Sequence, residues 1–142
     1  MTGPVVPCPS CATKNRLPIV SSGLPRCAAC QADLPWLVNA GDVDFDGAIA
    51  TKSLVLVDLW APWCGPCRMV APVVESLSRE LAGRLKVVKV NADESPAISQ
   101  RYRAQSIPML LVIDGGKVVD TVVGAQPKQV LRRTIDAAFA RR

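Results

Sequence analysis

Histidine is absent from this chain of 142 residues, and aromatic residues make up only 4% of it. Without histidine, no metal site in the chain can include an imidazole ligand. The few aromatic residues are not interleaved with a basic stripe, so we expect no nucleic-acid partner despite a formal net charge of +5. No apolar run is long enough to cross a bilayer, and we therefore expect no membrane association.

The start of the chain lacks both the basic segment and the long apolar stretch of a secretory signal peptide. We therefore expect a cytoplasmic protein in a reducing compartment. The chain length suits one ordinary core with a small appendage. Leu34–Val38 looks like the joint between the two, so we expect a small unit at residues 1–35, a larger one at residues 36–142, and a monomer.

The most informative segment is Trp60–Cys67, which reads WAPWCGPC and carries two cysteines separated by two residues. The run before it, Leu54–Leu59, is almost continuously apolar, as is typical of a strand buried on both faces. After it, apolar residues recur at helical spacing, at Val70, Val73, Val74, Leu77 and Leu81. We therefore expect the cysteines at a strand-to-helix junction, where they can make and break a disulfide.

The expected position of the two cysteines also predicts which one attacks. A cysteine at the helix N-cap is favoured as the thiolate by unpaired backbone N–H groups and the helix dipole, and only the thiolate is a nucleophile. We therefore expect Cys64 to attack first. Cys67 lies one turn further in, shielded by Trp60 and Trp63, and is expected to resolve the mixed disulfide. Pro66 is tolerated because the first helical turn has no hydrogen bonds to lose.

The segment Trp60–Cys67 resembles the active-site signature of the thioredoxin family, and the resemblance continues over most of residues 38–142. Further matching segments are Val57-Asp58 before the motif and, in order after it, Lys89–Asn91, Ser106–Pro108 and Val123–Ala125. Pro62 departs from the pattern, because many members carry an acidic residue there.

This resemblance implies an α/β thioredoxin fold, with a mixed central sheet covered by helices on both faces. It implies a protein-disulfide reductase that serves several client proteins and is recharged by an NADPH-dependent thioredoxin reductase. No tightly bound organic cofactor is expected. Oxidases and isomerases of this fold usually place a histidine between the two cysteines, which stabilises the reduced form, so the absence of histidine supports reduction.

Asp58 interrupts an apolar strand. A buried carboxylate is costly unless it is paired, so we expect this group to be partly neutral and able to exchange a proton. From the residues alone, a purely structural ion pair is an equally good interpretation. The family resemblance implies that Asp58 assists proton transfer at Cys67, with Lys89 as its partner.

The resemblance also implies a substrate-binding surface beside the cysteines. Ile107-Pro108 matches the cis-proline loop that faces the disulfide, where the backbone of Ile107 pairs with an extended substrate. Gly124 completes this surface. The substrate-binding residues implied in this way are Trp63, Gly65, Pro66, Ile107, Pro108 and Gly124.

The other four cysteines form two CxxC pairs, Cys8 with Cys11 and Cys27 with Cys30, separated by fifteen residues. This spacing is typical of a four-cysteine zinc site, and it predicts a small zinc ribbon that holds one structural zinc ion. Two disulfides, or a second redox-active pair, are the alternatives. The ribbon also leaves open an alternative function, a zinc-linked redox-regulated binding or chaperone module. A ribbon before a thioredoxin domain resembles a bacterial branch of the family, the second thioredoxins.

Capping and turn residues predict the remaining elements. Asp42 or Asp44 is expected to cap a first helix, and Ser95 a short helix that runs to Tyr102. A hairpin is expected across residues 114–116, and Pro127 is expected to open the last helix.

Overall fold

The computed structural model describes residues 2–142. The chain begins with a small antiparallel pair of strands, β1 (Thr2–Pro7) and β2 (Lys14–Pro18). The loop that follows β2 is closed by an antiparallel bridge between Arg26 and Asp33, whose side chains also form an ion pair at 3.5 Å. We call residues 2–35 the ribbon.

A five-stranded sheet forms the rest of the framework. Its strands are β3 (Trp36–Asn39), β4 (Leu54–Trp60), β5 (Leu85–Asn91), β6 (Met109–Asp114) and β7 (Lys117–Val123). The spatial order is β3-β5-β4-β6-β7, so β4 lies at the centre. The pairs β3 with β5 and β4 with β5 are parallel, whereas β4 with β6 and β6 with β7 are antiparallel. The expected mixed sheet is confirmed.

Four helices cover this sheet: α1 (Phe45–Ile49), α2 (Gly65–Glu80), α3 (Pro96–Arg101) and α4 (Lys128–Ala140). Buried residues of α1 and α3 belong to the apolar cluster on one face of the sheet, and those of α2 and α4 to the cluster on the other face. Among the helices of residues 2–142, none is long and apolar enough to cross a membrane.

The apolar residues at helical spacing after the motif bury one side of α2, as expected. Val70, Val74, Leu77 and Leu81 are each at most 1% exposed. The expected hairpin joins β6 to β7 through Gly115 and Gly116, whose φ angles of +60° and +81° suit a two-residue turn that glycine enters without steric cost.

The capping prediction for α1 was wrong in one respect. Asp44 occupies the N-cap of α1 without a side-chain cap, and its carboxylate instead accepts from the Gly41 amide at 2.7 Å. Asp42 caps α3, accepting from the amides of Ala97 and Ile98 at 3.0 Å each. Ser95 holds the N-cap position of α3 but makes no side-chain cap bond, because the Asp42 carboxylate has taken these two donors.

The ribbon packs against the sheet. Its buried apolar residues, including Leu17 and Ile19, join Trp36, Phe45 and Ala48 in one continuous cluster. The joint between ribbon and sheet is therefore part of the core, and Trp36 at its centre is fully buried.

Candidate active site and metal centre

Cys64 and Cys67 lie where β4 passes into α2, as the sequence predicts, and they form a disulfide. Cys64 is the N-cap of α2 in an extended conformation, and its sulfur accepts the backbone N–H of Cys67 at 3.2 Å. In the reduced protein, this donor and the positive end of a sixteen-residue helix favour the thiolate at Cys64. Burial does not distinguish the two cysteines, because they are 3% and 4% exposed.

The loop before β6 faces the disulfide. The Ile107-Pro108 peptide is cis, and the Cys64 sulfur lies 3.7 Å from the Ile107 carbonyl oxygen. The Gly124 amide donates to the Pro108 carbonyl at 2.8 Å, which places the residue after β7 beside this loop. The structure therefore brings Ile107, Pro108 and Gly124 together beside the cysteines, while Gly65 and Pro66 are exposed on the first turn of α2.

The two tryptophans of the motif differ in their surroundings. Trp60 and Ile107 pack against the buried cluster that contains Ala61 and both cysteines. Trp63 instead is 69% exposed, and its indole N–H donates to the Asp93 carboxylate at 2.9 Å. The expectation that Trp63 shields Cys67 is therefore wrong, and this side chain offers an apolar surface to solvent.

Asp58 is 1% exposed, on the face of the sheet covered by α2. Burial raises the pKa of its carboxyl group to about 6, and the charge of Lys89 acts in the opposite direction. Lys89 is the register partner of Asp58 on β5, and its ammonium lies 5.2 Å from the centre of the Trp60 ring.

One oxygen of Asp58, Oδ1, has no hydrogen-bond partner among the described residues. A cavity of about 130 Å³ is lined by Asp58, Cys67, Lys89 and Arg68, among others. A cavity of this size that includes polar side chains in its lining has room for water, which carries protons between buried groups. Asp58 and Cys67 thus line the same cavity.

The four cysteines of the ribbon converge. All four sulfurs lie within 4.8 Å of one another, and the pairs Cys8 with Cys30 and Cys11 with Cys27 are each 3.6 Å apart. In a tetrahedral site with metal–sulfur bonds of about 2.3 Å, the sulfurs lie about 3.8 Å apart. Four soft sulfur donors at this spacing are positioned to hold a metal ion.

The two cysteine pairs have the same backbone geometry. In each pair, the amide of the first cysteine donates to the carbonyl five residues later, and its carbonyl accepts from the amide four residues later, at 2.8 to 2.9 Å. The residue after the second cysteine, Ala12 or Gln31, has a positive φ of 63° or 66°. These paired turns present both sulfurs of each pair to the same point.

Asn15 and Asp93 are site residues that the sequence analysis missed. The Asn15 amide donates to the Cys27 sulfur at 3.4 Å, and its oxygen accepts the Ala28 amide at 3.0 Å. The Cys30 amide, followed by Asn15, lowers the pKa of Cys27 to about 6, which favours the thiolate that a metal binds. Asn15 is twelve residues from Cys27, so no local motif marks this contact.

Comparison with known proteins agrees with this geometry. The model of the Thioredoxin family matches residues 36–137. Thioredoxin 1 of Synechococcus elongatus is 51% identical over 96 residues, which cover 67% of this chain and 90% of the relative. Thioredoxin of Bacillus subtilis is 45% identical over 100 residues, covering 70% and 95%. Thioredoxin 1 of Nostoc sp. is 56% identical over 82 residues, covering 58% and 77%.

A disulfide at the N-terminus of a helix, on a mixed sheet and beside a cis-proline loop, defines a thiol–disulfide oxidoreductase. The chain belongs to the thioredoxin family. The four-cysteine ribbon lies outside the part that the family model matches.

Proposed function

We propose that this protein reduces disulfides in client proteins with Cys64 as the attacking thiolate. The observation that carries this proposal is the position of the Cys64 sulfur at the N-cap of α2, where it accepts the Cys67 amide. The Cys64 thiolate attacks one sulfur of a client disulfide, and the other client sulfur leaves as a thiolate. The Cys67 thiolate then attacks Cys64, which forms the Cys64–Cys67 disulfide and releases the client as a dithiol. Two electrons pass from the protein to the client.

In the second step, Cys67 has to lose its proton. Asp58 is suited to accept this proton, because its pKa is raised to about 6 by burial and it shares a cavity with Cys67. Lys89 supports this role as a positive charge on the neighbouring strand that favours the ionised form of the carboxyl group. Neither group bonds to a sulfur, so we assign them to proton transfer rather than to nucleophilic attack.

The client is proposed to lie across the exposed indole of Trp63 and the backbone of Ile107. An extended client segment can pair with main-chain groups of the loop before Pro108, while its disulfide meets Cys64. Gly65 and Gly124 carry no side chain and Pro66 adds only a compact apolar ring, so a protein surface can approach the sulfur closely.

The proposed electron donor is an NADPH-dependent thioredoxin reductase, as the family resemblance implies. We place the protein in the cytoplasm, because four thiols held for a metal persist in a reducing compartment.

The metal of the ribbon is proposed to be one zinc ion bound by Cys8, Cys11, Cys27 and Cys30. Four thiolates in tetrahedral arrangement are the preferred donor set of structural zinc, which acts as a cross-link for a unit too small to fold alone. The four-cysteine ribbon supports the proposal that the chain is one of the second thioredoxins. The division at residue 35 stays a prediction.

A coupled assay tests the reductase. NADPH oxidation is followed with thioredoxin reductase, this protein and a disulfide-bonded protein substrate. We expect the wild type to show turnover and Cys64→Ser to lose it. Cys30→Ser, which makes the same substitution in the ribbon, is the matched control and should keep turnover. Turnover that survives in Cys64→Ser, or that is abolished in a Cys30→Ser variant whose circular dichroism shows an intact fold, would contradict the assignment and favour a redox role for the ribbon.

A further inference from the structure

Lys86 is a fully buried lysine that the dithiol chemistry does not use. It lies on β5, and its side chain shares the face of the sheet with Val55, its register partner on β4, opposite to the face that holds Asp58. Its ammonium donates to two backbone carbonyls, of Ile19 in the ribbon and of Ala48 in α1, at 2.6 Å each. It also lies 4.2 Å from the centre of the Trp36 ring.

The hydrogen bond to Ile19 is one of several that reach the last residue of β2 and the loop after it. The Trp36 indole N–H donates to the Pro18 carbonyl at 2.8 Å. The Ser22 carbonyl accepts from the Lys52 amide at 3.3 Å and from the Thr51 hydroxyl at 3.1 Å. We call residues 18–22 the docking segment, because three of its carbonyls accept hydrogen bonds from the rest of the chain.

Lys86 also caps the C-terminal end of α1. In a longer helix the Lys52 amide would bond to the Ala48 carbonyl, but this amide donates to Ser22. Lys86 takes its place as the donor to Ala48, in the manner of a basic side chain at a helix C-terminus. Removing Lys86 would therefore deprive two buried carbonyls of this donor, one on each side of the contact between ribbon and sheet.

No acidic side chain among residues 2–142 forms an ion pair with Lys86. The docking segment and β3 carry no charged residue, and Asp46 on α1 is exposed and paired with Arg101 at 2.7 Å. The only charged residue of β4, Asp58, lies on the other face of the sheet. The positive charge of Lys86 is therefore met by carbonyl dipoles and an aromatic face alone.

We propose that Lys86 is the residue that docks the ribbon on the central sheet, and that its protonation state determines how tightly the ribbon is held. It acts as a hydrogen-bond donor, a role that the neutral amine also fills. Its charge is the costly part of the arrangement, because it is buried without an opposite charge.

Burial lowers the pKa of Lys86 from 10.5 to about 8 in the docked protein. When the ribbon is undocked, Lys86 on β5 is hydrated and its pKa returns to the ordinary value, so the docked state binds the proton more weakly. Docking therefore strengthens as the pH rises. Between pH 6.5 and pH 8.5 the docking equilibrium is expected to shift about fourfold toward the docked state.

Hydrogen exchange by NMR on the full-length, metal-loaded protein tests this proposal. The Trp36 indole N–H and the Lys52 amide report opening of the docking segment, and the Val57 amide in the central strand reports global unfolding. Wild type is compared with Lys86→Met, which keeps the length and apolar stem, and with Lys117→Met, the same change at an exposed position on β7.

We expect protection at Trp36 and Lys52 to fall at least about tenfold in Lys86→Met while Val57 is unchanged. After correction for intrinsic exchange, protection at these two sites in wild type and in Lys117→Met should rise about fourfold from pH 6.5 to pH 8.5, and this rise should vanish in Lys86→Met. Unchanged protection in Lys86→Met would overturn the proposal. If Lys86→Met does not fold, the wild-type pH series decides alone, and a flat or falling series overturns it.

Discussion

Asp58 in β4 offers a test in which burial and charge predict both the direction and the size of a change in the free energy of unfolding. The perturbation is Asp58→Asn, which keeps the shape of the side chain and removes the ionisable group. In the folded protein burial raises the pKa of Asp58 from 3.8 to about 6, so the folded state binds this proton more tightly than the unfolded chain. Stability from this group is greatest below pH 3.8, declines as the pH rises, and is fully lost above pH 6.

The magnitude follows from the two pKa values. The ionised carboxylate costs about 3 kcal/mol of unfolding free energy at pH 7.5 and about 1 kcal/mol at pH 4.5. We therefore expect Asp58→Asn to be more stable than wild type by about these amounts. The gain comes with slower turnover at neutral pH, because the acceptor for the Cys67 proton is lost.

The assay is guanidinium unfolding of the oxidised, metal-loaded protein at both pH values. Wild type and variant carry the same ribbon, so its own pH dependence cancels in the difference. Asp120→Asn, on β7, is the matched control and should change stability little at either pH. A variant that is less stable than wild type at pH 7.5, or a gain that does not shrink at pH 4.5, would refute the reasoning.

Three further predictions follow from single contacts. Cys11→Ser removes one of four sulfur ligands, and we expect less than one metal ion per chain by elemental analysis; full occupancy would rule out the four-cysteine site. Gly83→Ala places a Cβ against the Asp33 carboxylate at a φ of +82°, and denaturant unfolding should show a loss of about 1–2 kcal/mol; no loss would contradict the close approach. Asp93→Ala frees the indole of Trp63, and we expect the KM for a protein substrate to rise about threefold with kcat unchanged. An unchanged KM would show that the orientation of Trp63 does not contribute to client binding.

The local parts of this structure were predictable from sequence. The strand-to-helix junction at Cys64 follows from an apolar run that gives way to a helical period, and both patterns lie within the continuous segment 54–81. The turn at Gly115 and Gly116 follows from glycine chemistry. The convergence of the four ribbon cysteines was predicted for a similar reason, since each CxxC pair forms its own turn.

The parts that were missed depend on contacts between distant segments. Asp42 caps a helix that begins more than fifty residues later, and a capping rule that looks only at the next few residues assigns it to α1. Lys86 reads as the polar position of a strand, yet the ribbon covers it. Nothing near Trp63 in sequence indicates that Asp93 holds its indole outward. Tertiary packing decides such positions, and the local pattern contains no information about it.

The central claim is that Cys64 attacks and Cys67 resolves, and a trapped intermediate tests it most directly. Cys67→Ser, fully reduced and metal-loaded, is mixed with a disulfide-bonded protein substrate, and the products are digested without reductant and sequenced by mass spectrometry. A stable mixed disulfide through Cys64, absent in the Cys64→Ser variant, is the predicted result. A linkage through a ribbon cysteine, or no linkage at Cys64 while the substrate is still reduced, would contradict the account.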